Sequence, residues 1–427
     1  MNQNALHGQR SRLGLRSRQS LDLLARSFRH RNFRLFFTGQ FISLIGTWMQ
    51  TVAVSWLVYR LTGSSMALGL VGFVTHLPVF ILGLWGGSLA DRGDKRRLLV
   101  ITQAAAMGQA LALAALTLTG TATVWLVGAL AMVLGVINAV DMPTRQAFVV
   151  DMVGKEDLHN AIALNSSMFN SARVLGPTLA GLLVAAVGEG WCFFINGVSY
   201  LAVIASLLLM RLPPTPAASD RTRPRGYTLE ALRFAWGDRP MRSILAGLCL
   251  TSLFGAAYMI LLPVVVDSIL GQGARGLGFL TAATGVGSVV AALALAIKRE
   301  SKGLDTLRVA AGIGFGLVLF AFSLSRTFWL SMLLAPGLGF CLILFFAAAN
   351  TMLQLRSPDA LRGRIMALYA ITLVGMAPFG SLLAGTLASL IGTPETLGFC
   401  GLVCALGVAG LRLNLHRAQT GSAPRAS

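Results

Sequence analysis

Only two side chains with useful charge or acid–base chemistry lie deep inside the long apolar segments of this sequence. Arg173 is the one formally charged residue placed well within such a segment, and a charge inside a membrane marks a functional site by default. The alternative explanations for Arg173 are that its side chain extends to the membrane surface or that it pairs with a structural partner such as Asp141. His76, two residues before Pro78, could carry a proton near neutral pH, and its alternative is packing between helices. Asp141 and Asp267 lie only at segment ends, so proton coupling has little other residue support.

The sequence carries no motif of an ATP-driven or soluble enzyme. GxxxxGK[ST] is absent, and no HExxH, CxxC or GxSxG pattern stands out. The five cysteines all lie in apolar segments, where a thiol behaves as a small hydrophobic side chain. We therefore expect no enzyme activity, no bound metal and no cofactor.

A short basic hinge joins two long apolar segments between Trp85 and Gln103. Apolar sequence ends at Ala90, and six of the next seven residues, from Asp91 to Arg97, are charged. Such a hinge is typical of a cytoplasmic loop in a multi-spanning membrane protein, because Lys and Arg near membrane ends are retained on the cytoplasmic side.

The composition leaves room for many membrane spans. The 427 residues are 55% hydrophobic and 12% charged, with a mean hydropathy of +0.71, whereas soluble domains carry about 25% charged residues. A span needs roughly 20 apolar residues. Twelve segments qualify: about 33–59, 64–90, 98–119, 122–142, 161–187, 191–211, 241–269, 275–297, 308–325, 328–350, 366–391 and 395–413.

The basic residues orient these spans. With the N-terminus in the cytoplasm, 31 of the 35 Lys and Arg residues lie on the cytoplasmic side; Arg60, Arg275 and Arg326 lie outside, and Arg173 lies within a span. The net charge of +19 therefore indicates anionic lipid as a partner, in preference to nucleic acid. We predict a multi-pass protein of the bacterial inner membrane with both termini cytoplasmic.

Two six-span halves form an internal repeat. At an offset of 209 residues, Leu68-Gly69 falls on Leu277-Gly278, Asp91 on Glu300 and Asp94 on Gly303. Parallel six-span repeats, each built of inverted three-span units, are known for one class of transporter. We predict a basic tail (1–30), a first bundle (31–211), a linker with a short amphipathic helix (212–240), a second bundle (241–413) and a tail (414–427).

The hinge resembles the signature of the major facilitator superfamily. It has Gly87, Asp91 and Arg92 followed by the basic residues Lys95, Arg96 and Arg97, although the expected later glycine is displaced to Gly93 and Asp94 takes its place. The stretch from Asp141 to Leu183 resembles the branch that contains the enterobactin exporter and macrolide-efflux-like proteins. The resemblance implies a cytoplasmic gate in which Asp91 faces Arg364 and Ile365; the alternative is a simple basic anchor.

A second motif, in span 5, contains Arg173, Gly176, Pro177 and Gly181. Pro can kink a span, and small residues let a neighbouring helix approach closely. This motif resembles a glycine–proline motif of exporters in the same superfamily, which favours export over uptake.

The polar faces of two spans suggest a central cavity. Span 1 has Gln40, Ser43, Thr47, Thr51 and Ser55 at helical spacing, and span 7 has a matching face with Ser243, Gly247, Thr251, Gly255 and Tyr258. The superfamily resemblance adds spans 4 and 10, with Asn138 and Asn350, and further candidates are Trp48, Gln50, Asn165 and Asn170. The alternative is that these Ser, Thr and Gly residues mediate helix packing.

These observations together predict an all-α, twelve-span secondary transporter that works as a monomer. It would alternate access by rocking one half against the other, with a proton gradient driving efflux of an amphipathic small molecule, such as a siderophore or a drug-like compound. An uptake permease for a metabolite and a transporter-shaped receptor or scaffold are the alternatives.

Overall fold

The computed structural model describes residues 26–154, 156–211, 227–297 and 303–420, which fold as helices joined by short turns. Twelve of these helices are long and apolar enough to span a membrane. The spans are α1 (Arg31–Thr62), α2 (Ser65–Arg92), α3 (Lys95–Leu118), α4 (Val124–Val153), α5 (Leu158–Val187), α6 (Glu189–Leu209), α7 (Arg239–Val264, continued by a π-helical turn at Val265–Ile269), α8 (Gly273–Ile297), α9 (Leu304–Leu324), α10 (Phe328–Arg356), α11a (Asp359–Gly375) with α11b (Ala377–Ile391), and α12 (Thr393–Thr420). The fold is therefore the predicted all-α membrane bundle of two six-helix halves.

Several helices extend beyond the apolar segments that predicted them. α4 continues through Pro143 to Val153, and α10 continues to Arg356. Hydropathy detects only the part of a helix that lies in the lipid. Backbone hydrogen bonds and residues of high helix propensity continue the helix beyond the membrane into water. The extension matters because it keeps Asp141 and Arg145 on one continuous helix.

The predicted linker helix is present at Tyr227–Gly237. Ala235 is buried and packs in a cluster with Met241 and Ile244 of α7, whereas Trp236 and Leu232 are exposed. Its position on the membrane surface stays a prediction, as do the exact domain boundaries. The front of the linker and the outer parts of both tails lie outside the described residues.

Turns at both ends of the bundle use glycines with positive φ, but an aspartate caps the helix in the α2–α3 turn. We call the end that carries Arg26–Arg29 and the α2–α3 turn the basic end. At the opposite end, turns depend on glycines with positive φ, such as Gly63, Gly188 and Gly392, because other residues rarely adopt that conformation. At the basic end, Asp94 caps α3 by accepting a hydrogen bond from the Arg97 backbone N–H, and its repeat partner Gly303 caps α9.

The halves meet through paired glycines. A Cβ atom built on Gly278 of α8 would lie 2.6 Å from the Cα of Gly181 on α5, and one built on Gly69 of α2 would lie 2.8 Å from the Cα of Gly385 on α11b. The two contacts are equivalent, because α2 and α8 are the second helices of their halves and α5 and α11 are the fifth. All four glycines lie toward the opposite end, where the backbones of the halves touch without intervening side chains.

Ion pairs at the basic end join helices of the same half. In the N-terminal half, Lys95 pairs with Asp151 at 2.8 Å. In the C-terminal half, Asp305 pairs with both Arg308 and Arg412. These pairs strengthen each half as a unit, whereas the halves meet through the glycine contacts and through side-chain contacts such as those of Phe73 and Phe80 with Phe379.

Candidate central cavity

A cavity of about 390 Å³ lies between the two halves. Its size falls within the range of small-molecule sites. Most of the wall is apolar, from residues such as Val71, Met259 and Ile260. Its polar lining residues are Gln50, Thr51, Ser55, Thr75, His76, Gln109, Thr281 and Ser381.

The polar residues of the wall are engaged within the protein. The hydroxyl groups of Thr51, Ser55, Thr75, Thr281 and Ser381 each donate to a backbone carbonyl of their own helix, at 2.6–2.9 Å. Such bonds satisfy the hydroxyl proton and turn the methyl or methylene surface outward. The wall therefore presents a largely apolar surface to a ligand, although it contains several Ser and Thr residues.

Only part of the predicted α1 face reaches the cavity. Thr51 and Ser55 of that face line it, as do the further candidates Trp48 and Gln50. Gln40 and Ser43 are buried, on a helix that packs closely on α6: a Cβ at Gly46 would lie 2.5 Å from the Asn196 side chain. These residues do not line the cavity, because this part of α1 serves as a packing surface. Thr47 is half-buried and donates to the Ser43 carbonyl.

Most of the predicted α7 face turns away from the cavity, and its last residue, Tyr258, is buried beside Arg173. Thr251 is 1% exposed, and its neighbours on the face, Gly247 and Gly255, lie against Phe345 of α10 and Phe315 of α9. This stripe therefore packs inside the C-terminal half, and α7 lines the cavity with Ala256, Met259 and Ile260 instead.

Asn138 and Asn350 are half-buried and do not line the cavity. Asn350 accepts a hydrogen bond from the Gln354 side chain at 2.6 Å, one turn along α10. Of the further candidates, Asn165 and Asn170 are half-buried on α5, and Asn170 donates to the Ser166 carbonyl.

His76 lies on the cavity wall, as a proton carrier would require. Its Nδ1 atom is 2.8 Å from the Gly72 carbonyl oxygen. Because a carbonyl only accepts, Nδ1 carries a proton, and Nε2 is left to gain or lose one. The structure thus gives the ring a fixed orientation without deciding its role.

A buried chain of amides crosses the N-terminal half and was not predicted. Asn196 of α6 donates to Gln50 at 2.7 Å, Gln50 donates to Gln109 of α3 at 3.0 Å, and Gln109 donates to the Leu130 carbonyl of α4 at 3.2 Å. Buried amides are costly unless paired, so this chain fixes four helices relative to one another. The sequence signal was three amide residues in predicted spans, but nothing in their spacing indicated that they meet.

A buried carboxylate also escaped prediction. Asp141 is 1% exposed and pairs with Arg145 on the next turn of α4. It also accepts from Thr102 at 2.9 Å and from Gln103 at 2.8 Å, both on α3. The suggested alternative of an Asp141 partner for Arg173 is therefore wrong, because Arg145 already occupies that position.

Arg173 sits where the two halves meet. Its guanidinium carbon lies 5.6 Å from the centre of the Trp48 ring, within the range of a cation–π contact. Across the interface, Tyr258 of α7 and Thr284 of α8 face one another beside it. The Arg173 carbonyl oxygen is 3.0 Å from a Cβ built on Gly285 of α8. The side chain is thus placed among α1, α5, α7 and α8 at the cavity edge.

The rest of the α5 motif works through close packing. A Cβ on Gly176 would lie 2.5 Å from the Trp48 Cβ on α1, and Gly181 meets Gly278 as described above. Pro177 lies inside α5, and its carbonyl oxygen would be 2.6 Å from a Cβ at Gly278. The motif therefore brings α5 against both α1 and α8.

The predicted gate is described only in part. The side chains of Asp91 and Arg92 lie outside the described residues, and the half-buried Arg364 lies on α11a. A Cβ on Gly87 would meet nothing within 4 Å, whereas one on Gly86 would lie 2.0 Å from the Ala139 carbonyl of α4. The close approach in this motif thus belongs to Gly86. Lys95 pairs with Asp151, and Arg96 donates to the Leu208 carbonyl at 2.8 Å.

Among the described residues, no group of three His, Cys, Asp or Glu side chains could hold a metal ion.

Solved structures of transporters share the fold. A bacterial homologue of the human lysosomal transporter Spinster, inward-facing and occupied, matches with a TM-score of 0.69 and 13% identity, over 90% of this chain and 96% of that one. A POT family transporter bound to a thioalcohol-conjugated peptide matches with a TM-score of 0.71 and 10% identity, over 92% and 97%.

Sequence relatives cover the same length. The chain is 25% identical to the staphyloferrin A transporter of Staphylococcus aureus over 376 residues, which are 86% of this chain and 92% of that protein. It is 26% identical to the enterobactin exporter EntS of Escherichia coli over 364 residues, or 85% and 86%. A family described as transmembrane secretion effectors matches residues 24–426. The chain therefore belongs to this family of the major facilitator superfamily, and it is a multi-pass membrane transporter of a small molecule.

Proposed function

We propose that the protein is a secondary exporter of siderophore-type amphipathic molecules in a bacterial inner membrane. The observation that carries the proposal is the cavity of about 390 Å³ shared by both halves, whose wall is apolar apart from internally satisfied polar groups. A surface of this kind suits a large, partly apolar ligand better than a sugar or a small ion. The likeness to a staphyloferrin A transporter and an enterobactin exporter supports a siderophore as the cargo.

The basic end faces the cytoplasm in this proposal. The excess of Lys and Arg in the loops at that end supports the orientation. Both termini are then cytoplasmic, anionic lipid headgroups contact the basic loops, and the protein acts as a monomer without a nucleic-acid partner. The glycine contacts at Gly181–Gly278 and Gly69–Gly385 keep the outer side closed while the cavity takes up cargo from within.

Export then requires the halves to rock apart at the glycine contacts. Each half can move as a unit, because ion pairs such as Lys95–Asp151 and Asp305–Arg412 hold its own helices together. The Asp91 carboxylate closes the inner side by meeting the start of α11a, where helix N-terminal N–H groups favour a negative charge. A ligand shifts the equilibrium between the inward-open and outward-open states only to the extent that its affinities for the two states differ.

A proton gradient supplies the driving force, with His76 as the carrier. The ring lies on the cavity wall with Nδ1 anchored, so protonation at Nε2 would place a positive charge next to the cargo. That charge would alter the affinity for cargo in one state relative to the other, which is what coupling requires.

Accumulation in intact cells tests the proposal. Cells that lack their own siderophore exporters would express the wild type, Asp91→Asn or an empty vector, and intracellular enterobactin and staphyloferrin A would be measured with and without a protonophore. We expect the wild type alone to lower the level of at least one, and the protonophore to abolish the difference. Higher intracellular accumulation in wild-type cells than in empty-vector cells would indicate an uptake permease. Export by Asp91→Asn at the wild-type level would contradict the role of Asp91 in the gate. No difference from empty cells would favour the receptor or scaffold.

A further inference from the structure

Most hydrogen-bonding groups on the cavity wall are paired within the protein, whereas Arg173 and Tyr258, which lie beside the lining residue Trp48, have hydrogen-bond donors to spare. The hydroxyl groups on the wall donate to their own helices, and the amides of Gln50 and Gln109 are paired. Arg173, by contrast, makes no ion pair with a carboxylate of the described residues; its contacts are with Trp48 and with Tyr258. A guanidinium group has five N–H donors and no acceptor.

Tyr258 provides a second, independent observation. It is 1% exposed, yet its hydroxyl oxygen has no hydrogen bond of normal geometry to the described residues. The adjacent Thr284 is 2% exposed and donates to the Thr281 carbonyl at 2.7 Å; its oxygen can still accept, but it forms no hydrogen bond of normal geometry with Tyr258. An unsatisfied buried hydroxyl is costly, so Tyr258 stands ready to donate to a group that binds beside Arg173.

We infer that Arg173 and Tyr258 form the recognition site for an anionic group on an aromatic or otherwise apolar substrate. Donors without an acceptor select a ligand rich in acceptors, and a carboxylate, sulfonate or phenolate provides these together with the opposite charge. The Trp48 ring and the apolar wall beside it accommodate the apolar part. The inference rests on the proposed function and narrows its substrate class from amphipathic to anionic amphipathic molecules.

The position of the site also suits transport. Arg173 belongs to α5 of the first half and Tyr258 to α7 of the second, so a bound anion would contact both halves at once. Rocking of the halves would separate the two donors and weaken the hold on the anion. The same pair can thus bind cargo in one state and release it in the other.

Two fluorescent probes that differ by one sulfonate group test this site. The purified full-length protein in phosphatidylcholine nanodiscs would be titrated with 8-anilinonaphthalene-1-sulfonate and with its uncharged parent, N-phenyl-1-naphthylamine. Binding would be measured as energy transfer from protein tryptophan, after subtraction of empty nanodiscs. We expect Arg173→Gln to weaken sulfonate binding about tenfold or more, since it removes a charge-assisted hydrogen bond, and to leave the parent unchanged.

Three further variants separate recognition from folding and from net charge. Arg173→Lys should keep most of the preference for the sulfonate, and Tyr258→Phe should lose part of it. Arg275→Gln is the matched control, because exposed Arg275 lies at the start of α8 and its loss changes the net charge equally; it should change neither affinity. Size-exclusion profiles establish that each variant is folded.

Equal affinity of the wild type for both probes, absence of sulfonate binding, or an equal loss of both probes in Arg173→Gln would overturn the anion site. The cell assay separates this result from the fate of the exporter. If wild-type cells expel a siderophore but the purified protein has no sulfonate preference, export stands and the anion site falls. If the preference depends on Arg173 but nothing is expelled, the anion site stands and export falls.

Discussion

The two halves share a helix order but use equivalent polar positions differently. In the N-terminal half, Asp141 and Arg145 form a buried ion pair on α4. At the repeat offset of 209 residues, α10 carries Asn350 and Gln354, which form a neutral amide pair at 2.6 Å. Both halves thus keep an i,i+4 polar pair at this place, and only one keeps it charged.

The cavity wall shows the same asymmetry. Gln50 lines the cavity and belongs to the amide chain of the N-terminal half, whereas its repeat partner Met259 lines the cavity as an apolar side chain. Gly69 and Gly278, in contrast, keep the same residue and the same role. The two halves have therefore retained equivalent backbone contacts with each other, whereas their residues differ at the cavity wall and at the polar pair of α4 and α10.

The largest effect is expected at the shared glycines. Gly278→Leu should abolish export, because its side chain would overlap the backbone of α5 at Gly181, 2.6 Å from the Cβ position. Gly69→Leu should do the same at α11b. Gly128→Leu is the matched control, since nothing lies within 4 Å of its Cβ position. Siderophore efflux, normalised to the amount of protein in the membrane, measures the result. Normal efflux by Gly278→Leu would contradict the role of the contact.

The next effect concerns the charged pair. Asp141→Asn should lower the free energy of unfolding by about 3–5 kcal/mol, because it leaves the Arg145 charge without its partner. The double variant Asp141→Asn, Arg145→Gln copies the neutral pair of α10 and should recover most of that loss. Asn350→Leu should cost only about 1 kcal/mol. Thermal unfolding in detergent measures all three, and a double variant no better than Asp141→Asn would show that the halves are not interchangeable here.

A smaller effect is expected in the amide chain. Gln50→Leu leaves Gln109 and Asn196 without their shared partner, and we expect a loss of about 1–3 kcal/mol for each unsatisfied group. Met259→Leu, at the equivalent position, should cost less than about 1.5 kcal/mol, because it conserves volume and chemistry. The same unfolding assay compares the two variants. Equal losses would mean that the chain of amides contributes packing alone.

The smallest expected effect on the fold is at His76. His76→Gln keeps a polar side chain that can still reach the Gly72 carbonyl, so the fold should be unaffected. Because His76 carries the proton in the proposed function, the variant should lose most of the efflux that the proton gradient drives, and the dependence of efflux on external pH should disappear. Efflux assays across a series of pH values measure this. An unchanged pH profile would transfer the coupling role to another group, with Asp141 the first to examine.

Hydropathy and charge were sufficient to predict the bundle. Apolar runs, Gly turns and the basic loops gave twelve helices and two halves, because lipid requires helices whose length and hydrophobicity are visible in the sequence. The offset of 209 residues predicted that Gly69 and Gly278 are equivalent, and their contacts agree. The helix ends beyond the membrane were less visible, as α4 shows at Pro143.

The site was harder to predict, because helix faces depend on rotation about the helix axis. The stripe with Thr251, Gly247 and Gly255 looks like a polar cavity face, but glycine serves equally well to let Phe345 and Phe315 approach. Cross-helix partners such as Asn196 and Gln50 lie 146 residues apart in sequence, and no periodicity joins them. The sequence marks Arg173 as unusual and Tyr258 as a cavity candidate, but only the tertiary structure shows that Arg173, Tyr258 and Thr284 are neighbours.

The glycine contacts also bear on how readily the molecule can switch. When ordinary side chains interlock, closure removes rotamer freedom, and that loss of entropy grows with each long side chain. A Gly181–Gly278 junction orders no rotamers, so closing it costs little entropy and opening it regains little. In the proposed exporter, such a junction would let the open and closed forms stay close in free energy over a range of temperatures, so that a modest ion gradient would tip the balance between them.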